Sequence, residues 1–329
     1  MGRVLGRSGI EVSEIGFGCW AIGGRFTLDG KPDGWGAADD GESMAAIRRA
    51  LELGVTFFDT ADVYGAGHSE RVLGRALAGR RDEVVIATKF GYTFDAGQRV
   101  ITGQDASPGY IGRACRASLR RLGTDRIDLY QLHLGELPAG QAQEVAGTLE
   151  DLVADGLIRG YGWSTDDPQR AAAFAGGGHC AAIQHEMNVL ADASAMLAVC
   201  EAHDLASINR SPLAMGLLTG KYGPASQLPP DDVRAAQAWV GYFTGGRPAP
   251  AWLARLDAVR EVLTSGGRTL AQGALCWLLA RSPRTVPIPG IRTVAQAGQN
   301  AAALRLGPLP PAEMTEITRL LGTDLAQPA

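Results

Sequence analysis

Lysine is scarce in this chain: of 31 basic residues among 329, only Lys31, Lys89 and Lys221 are lysines. Net charge is also small, −4 with a pI near 5.8. That removes the electrostatic footprint of a nucleic-acid or anionic-membrane binder. No run approaches the ~20 apolar residues of a membrane helix. The turn-rich start, Met1-Gly2-Arg3-Val4-Leu5-Gly6, has no apolar signal-peptide core. A cytoplasmic protein is expected. Cysteines 19, 115, 180, 200 and 276 are odd in number and form no C-x-x-C pair. They read as reduced core residues. No G-x-G-x-x-G follows the first apolar strand; Gly16-Phe17-Gly18-Cys19-Trp20 leads into a loop, against the open dinucleotide-binding sheet.

What is present is a rhythm. Val4 to Gly16 alternates apolar and polar residues around Arg7-Ser8-Gly9, as a β-hairpin does. Eight short apolar strands follow: 15–18, 56–59, 84–89, 127–133, 160–163, 181–184, 206–210 and 285–288. Between them lie helix-period segments at 43–53, 110–122, 141–155, 193–203 and 269–280. Gly54, Gly123 and Gly156 stand where helices stop. Alternation of this kind predicts a parallel sheet with crossover helices. Eight units without a compositional break favour closure. The expected fold is α/β: a single (β/α)8 TIM barrel over residues 1–329, with an N-terminal β-hairpin. The stretches 26–40 and 222–250 read as long loops on the C-terminal face, where lids and binding loops lie.

In such a barrel the chemistry sits at the C-terminal strand ends. Strand two ends in Asp59, with Tyr64 five residues on; strand three ends in Lys89; strand four ends in His133. An unperturbed tyrosine, with pKa near ~10, trades protons poorly at neutral pH. An adjacent ammonium is expected to lower that value, and a carboxylate to hold the ammonium. Neutral histidine can orient a carbonyl oxygen. Each residue alone has a plainer explanation: Asp59 as a cap, Tyr64 as a packed ring, His133 as a satisfied strand end. Lys89 is harder to explain away, because it closes the apolar run Val84-Val85-Ile86-Ala87, where an unpaired charge is costly. The four in order on consecutive strands point to proton transfer at a carbonyl. No cluster of metal-ligand spacing occurs at these ends.

Several segments carry a resemblance along almost the whole chain. They are Phe58-Asp59-Thr60-Ala61-Asp62-Val63-Tyr64-Gly65, Ala87-Thr88-Lys89-Phe90, the run from Arg120 to His133, the run from Ser211 to Lys221, and Ile288-Pro289-Gly290-Ile291-Arg292. Together they resemble the aldo-keto reductase superfamily. That resemblance implies an NADPH/NADP+-dependent oxidoreductase reducing a small-molecule aldehyde or ketone. Tyr64 would be the general acid/base, tuned by Asp59 and Lys89, with His133 orienting the substrate. Ser164 and Gln184 match the positions that hold the nicotinamide carboxamide, with Thr165 a weaker contact where relatives carry asparagine. Ser211, Leu213, Gly216 and Lys221 belong to the segment around the pyrophosphate. Arg292, after Gly290, matches the residue facing the 2′-phosphate, and Gln296 and Asn300 follow toward the adenine.

Some positions depart from the pattern. Arg210 stands where relatives often carry an aromatic, and a guanidinium plane could stack there instead. Leu134-Gly135-Glu136 replaces a proline–acid pattern. Trp20, counted with the cofactor contacts, joins Trp35 and Tyr92 as loop aromatics near the mouth. Two other activities fit the same residues: a sugar or alcohol dehydrogenase running in reverse, and a cofactor-binding regulatory subunit. No nucleic-acid or membrane partner is expected, and the sequence marks no oligomeric interface.

Overall fold

The computed structural model describes residues 2–322. Strands Gly2–Val4 and Glu11–Ser13 pair antiparallel, forming the expected hairpin. Eight parallel strands follow in sequence order: β1 (Phe17–Gly18), β2 (Phe57–Asp59), β3 (Val85–Phe90), β4 (Ile127–Leu132), β5 (Ile158–Ser164), β6 (Cys180–Glu186), β7 (Ala206–Arg210) and β8 (Thr285–Pro287). Each pairs with its sequence neighbour. The sheet then closes on itself. Gly16 N donates to Pro287 O at 2.9 Å, and Gly18 N donates to Pro289 O at 3.0 Å. A Cβ at Gly18 would lie 2.7 Å from Ile288 O, so this approach needs glycine. The molecule is a (β/α)8 barrel.

The sequence explains the surrounding helices locally. Asp39 caps α1 (Asp40–Glu52) by accepting from Glu42 N. Ser107 caps α3 (Pro108–Leu122), whose first residue is proline, as helix starts favour. Gly123 ends α3 at φ 66°, a left-handed turn that glycine adopts without strain. The other barrel helices are α2 (His68–Ala76), α4 (Ala139–Ala154), α5 (Pro168–Phe174), α6 (Ser194–Ala202), α7 (Leu270–Arg281) and α8 (Val294–Ala301). Helices Pro250–Thr264 and Pro311–Leu321 pack outside them.

Inside the barrel, Phe57, Val85, Ala87, Leu129, Ala182, Ile208 and Val286 form a dry layer, plugged from below by Leu5, Ile10 and Val12 of the hairpin. Side chains on a strand alternate in direction, so the next inward residue lies two positions on. Phe57 is thus followed by Asp59, Ala87 by Lys89, Leu129 by Gln131 and Ala182 by Gln184. A polar layer tops an apolar one.

Two stretches read as loops carry structure of their own. Thr27–Leu28 and Lys31–Pro32 pair, and Thr27 also meets Val100 of a second hairpin, Tyr92–Asp95 with Val100–Gln104. Tyr92 therefore lies on a strand. Residues 222–250 include the helical turn Val233–Ala236 and the pair Phe243–Thr244 with Arg247–Pro248. The strands within 26–40 and 222–250 are only two residues long, below the length at which alternation is readable.

Candidate active site

The four strand-end residues come together. Lys89, fully buried, donates from Nζ to Asp59 Oδ1 at 2.6 Å, to Thr60 O at 2.8 Å and to the Tyr64 hydroxyl at 3.3 Å. The Tyr64 and His133 rings meet edge to face, with centroids 5.7 Å apart. Asp59 is held on its other oxygen by Gln184 Nε2 at 2.8 Å and Gln131 Nε2 at 3.0 Å. Gln131 escaped the reading of the sequence. Its signal was there: it lies between Leu129 and His133 with the inward period of two.

Burial sets the electrostatics. It pushes the Tyr64 phenol above its ordinary value, and the Lys89 charge offsets this only in part. Lys89 thus lowers the value as expected, by charge and by hydrogen bond, but burial outweighs it and the Asp59 charge adds to the rise. Burial disfavours the Lys89 charge too, but Asp59 and Tyr64 outweigh it and its pKa rises. His133 is held well below the usual imidazole range by burial, then by Lys89 and Arg210. It is neutral, and its Nδ1 is buried without a hydrogen-bond partner.

Asp59, Tyr64 and His133 open on a cavity of about 730 Å³, within the range of small-molecule sites. Trp20, Trp35 and Tyr92 line it, as expected of the mouth. Trp20 stacks between Tyr64, at 6.1 Å, and the half-exposed Trp239, at 6.0 Å. Trp239 lies in a loop, and nothing in its sequence neighbourhood marked it.

Of the expected cofactor contacts, Ser164, Thr165, Gln184 and Arg210 line the next part of the cavity. Thr165 Oγ1 is engaged with Gly135 O at 2.9 Å, so it secures the mouth loop. Arg210 pairs with Glu186 at 3.1 Å and with Asp166, which fixes its guanidinium at the cavity edge. Both acids were missed, since only the fold brings them to Arg210. Beyond lies the segment of Ser211, Leu213, Gly216 and Lys221, all on the cavity wall. Ser211, Ala214, Met215 and Gly216 have φ of 52°, 47°, 53° and 95°. Ala214, Met215 and Gly216 are left-handed in succession and turn the backbone sharply where Met215 and Gly216 line the cavity. Arg234, 6% exposed, donates to Met215 O at 3.0 Å and lies over the Trp35 ring at 4.6 Å. It was also missed.

At the far end Gly290, Arg292 and Gln296 line the cavity. Arg292 is no free surface arginine. Its guanidinium donates to Trp35 O at 3.0 Å and to Ala37 O, and its N–H donates to Gln296 Oε1 at 2.8 Å. Asn300, one turn further along the same helix, is 4% exposed and lies outside the residues that line the cavity. Among the described residues no group of three or more His, Cys, Asp or Glu side chains could hold a metal. None of the described helices is long and apolar enough to cross a membrane.

Residues 14–321 match the Aldo/keto reductase family. The chain belongs to that family. Among its relatives, aldo-keto reductase yakc of Schizosaccharomyces pombe, whose name carries NADP(+), is 30% identical over 317 residues, covering 90% of this chain and 84% of the relative. The holo form of aldo-keto reductase AKR11C1 from Bacillus halodurans superimposes with TM-score 0.78 at 28% identity, covering 97% of this chain and 95% of that one. An aldo-keto reductase from Klebsiella pneumoniae in complex with NADPH gives TM-score 0.70 at 28% identity, covering 98% and 95%. The family's fold and this barrel agree from the first strand to the last.

Proposed function

We propose that this aldo/keto reductase is a single-domain NADPH-dependent enzyme that reduces an aldehyde or ketone to an alcohol. The observation that carries the proposal is the Tyr64 hydroxyl, held by Lys89, itself paired with Asp59, beside a neutral His133 at the cavity floor.

The cofactor fits the cavity by its own features. The left-handed turn at Ala214–Gly216 suits a pyrophosphate, and Gly216 leaves no Cβ to meet Arg234 Nη1, which would lie 3.3 Å away. Arg292 and Lys221 supply positive charge, and arginine's planar fork suits a phosphate. Relatives named with NADP or bound to NADPH support the same choice. When bound, NADPH supplies a hydride to the carbonyl carbon.

The chain does the rest. His133 donates a hydrogen bond to the carbonyl oxygen and fixes its direction. Tyr64 gives that oxygen its phenolic proton as negative charge develops there. Lys89 stabilises the resulting phenolate, and Asp59 with its two glutamines keeps the ammonium in place. Water then returns the proton to Tyr64. The reverse path makes the same site an alcohol dehydrogenase.

The test is NADPH consumption with a panel of activated aldehydes and ketones, comparing the native chain with Tyr64→Phe. Turnover that falls about 100- to 10,000-fold in the variant, with NADPH binding kept, is the expected result. Tight NADPH binding without turnover on any carbonyl, or on alcohols with NADP+, would instead make the chain a cofactor-binding subunit.

A further inference from the structure

The substrate end of the cavity is aromatic and apolar, formed by Trp20, Leu28, Tyr92, Ile101 and Trp239. One carboxyl interrupts it. Asp33 lines the cavity, and its position is set by backbone rather than chance: its N–H donates to Phe26 O at 3.0 Å, and its carbonyl accepts from Trp20 Nε1 at 3.2 Å. Its Oδ1 is buried without a hydrogen-bond partner among the described residues. Two positions on, Trp35 Nε1 is also buried and unpartnered. An acceptor and a donor are thus left unmet on one loop of one cavity. Buried polar groups in native structures are normally satisfied, so each exception asks for a partner.

The chemistry of that partner follows from what each atom needs. Asp33 needs a donor, and Trp35 needs an acceptor. A hydroxyl provides both, whereas an ammonium only donates and a carboxylate only accepts. The cations at the floor are already matched, Lys89 by Asp59 and Arg210 by Glu186 and Asp166, so the floor presents no unpaired charge for an ionic substrate to meet. Asp33 in turn repels an anionic one when ionised, and burial pushes its carboxyl up only to about 7.

We propose that Asp33 selects the substrate by accepting a hydrogen bond from a hydroxyl carried beside the reacting carbonyl, so that neutral hydroxyaldehydes and hydroxyketones are preferred. This rests on the carbonyl-reductase reading above and adds a substrate class to it. Asp33 is a specificity-determining residue, outside the proton-transfer group.

The experiment compares glyceraldehyde with propanal, and erythrose with butanal, as ratios of kcat/KM. The native chain is expected to favour the hydroxylated member of each pair. Asp33→Leu should lower that ratio about tenfold or more, mainly through KM, and Asp33→Asn less, because an amide oxygen still accepts. A merely structural role for Asp33 would lower both substrates together and leave the ratio unmoved. That result overturns the inference. A second readout does not depend on turnover: binding of glycerol against propan-1-ol, followed by tryptophan fluorescence with and without NADP+. Asp33-dependent preference for glycerol sustains the inference even if the chain reduces nothing, in which case the reductase reading alone falls. Equal binding of the two alcohols, unchanged in Asp33→Leu, sinks it.

Discussion

The Lys89 ammonium lies 2.6 Å from Asp59 Oδ1 and 3.3 Å from the Tyr64 hydroxyl, so its closer partner is the counter-ion and not the phenol. Both ends of the ion pair are buried, the lysine completely. Breaking such a pair from one side leaves an uncompensated charge, which costs about 3–5 kcal/mol. Lys89→Met should lower stability by that amount in urea unfolding. The double variant Asp59→Asn with Lys89→Met should be less damaged than the two single effects combined, because no charge is then stranded. Additive losses would show that the pair is not coupled as the geometry requires.

The directions of the two shifts at the floor predict a pH profile. His133 is held neutral, so no proton should enter or leave it near the ordinary value of about 6.5. Tyr64, raised above its ordinary value, should stay protonated beyond about 10. For an aldehyde without hydroxyls, kcat/KM should therefore be level from about pH 6 to 9. A fall on the acid side near 6.5 that vanishes in His133→Asn would contradict this assignment. The same shift affects folding. Below about 6.5 the unfolded chain takes up a proton that folded His133 refuses, so stability should decline as pH falls, and less so in the asparagine variant.

Arg292 offers a third test. It holds the carbonyls of Trp35 and Ala37, so its guanidinium is already placed at the cavity wall before any phosphate arrives. Charge-assisted hydrogen bonds are worth about 1.5–3 kcal/mol, or roughly 10- to 100-fold in affinity. Arg292→Leu should weaken NADPH binding by that factor in a fluorescence titration and change NADH binding far less. Equal losses for the two cofactors would mean that Arg292 serves the loop and not the 2′-phosphate.

The cavity floor was legible because Asp59, Lys89 and His133 stand at or just past the ends of apolar strands, with Tyr64 five residues beyond Asp59, where local sequence is enough. Lys89 after Val84-Val85-Ile86-Ala87 is the plainest case. Gln131 obeyed the same period and was passed over because an amide among strand residues looks unremarkable without its carboxylate partner. Asp33, Arg234 and Trp239 were out of reach for a different reason. Their positions depend on two loops distant in sequence: Val233 N donates to Gly34 O at 3.2 Å, and Gln237 Nε2 to Pro32 O at 3.1 Å. Short pairings of that kind leave no periodic trace. Gln296 and Asn300 share a side by helical period, while how deeply each is buried depends on what packs there.

The barrel's seam has a consequence for how the molecule is made. Gly18 and Gly290 stand near opposite ends of the sequence, yet their bridge joins the first strand to the last. A ribosome emits β1 early and must add nearly all of the remaining barrel before its partner exists. Until residue 290 emerges, the growing sheet has two open edges, and open edges recruit other strands. Chaperone demand and aggregation during synthesis should therefore concentrate in nascent chains that stop short of this seam. A side chain at Gly18 would keep even the finished chain in that vulnerable state.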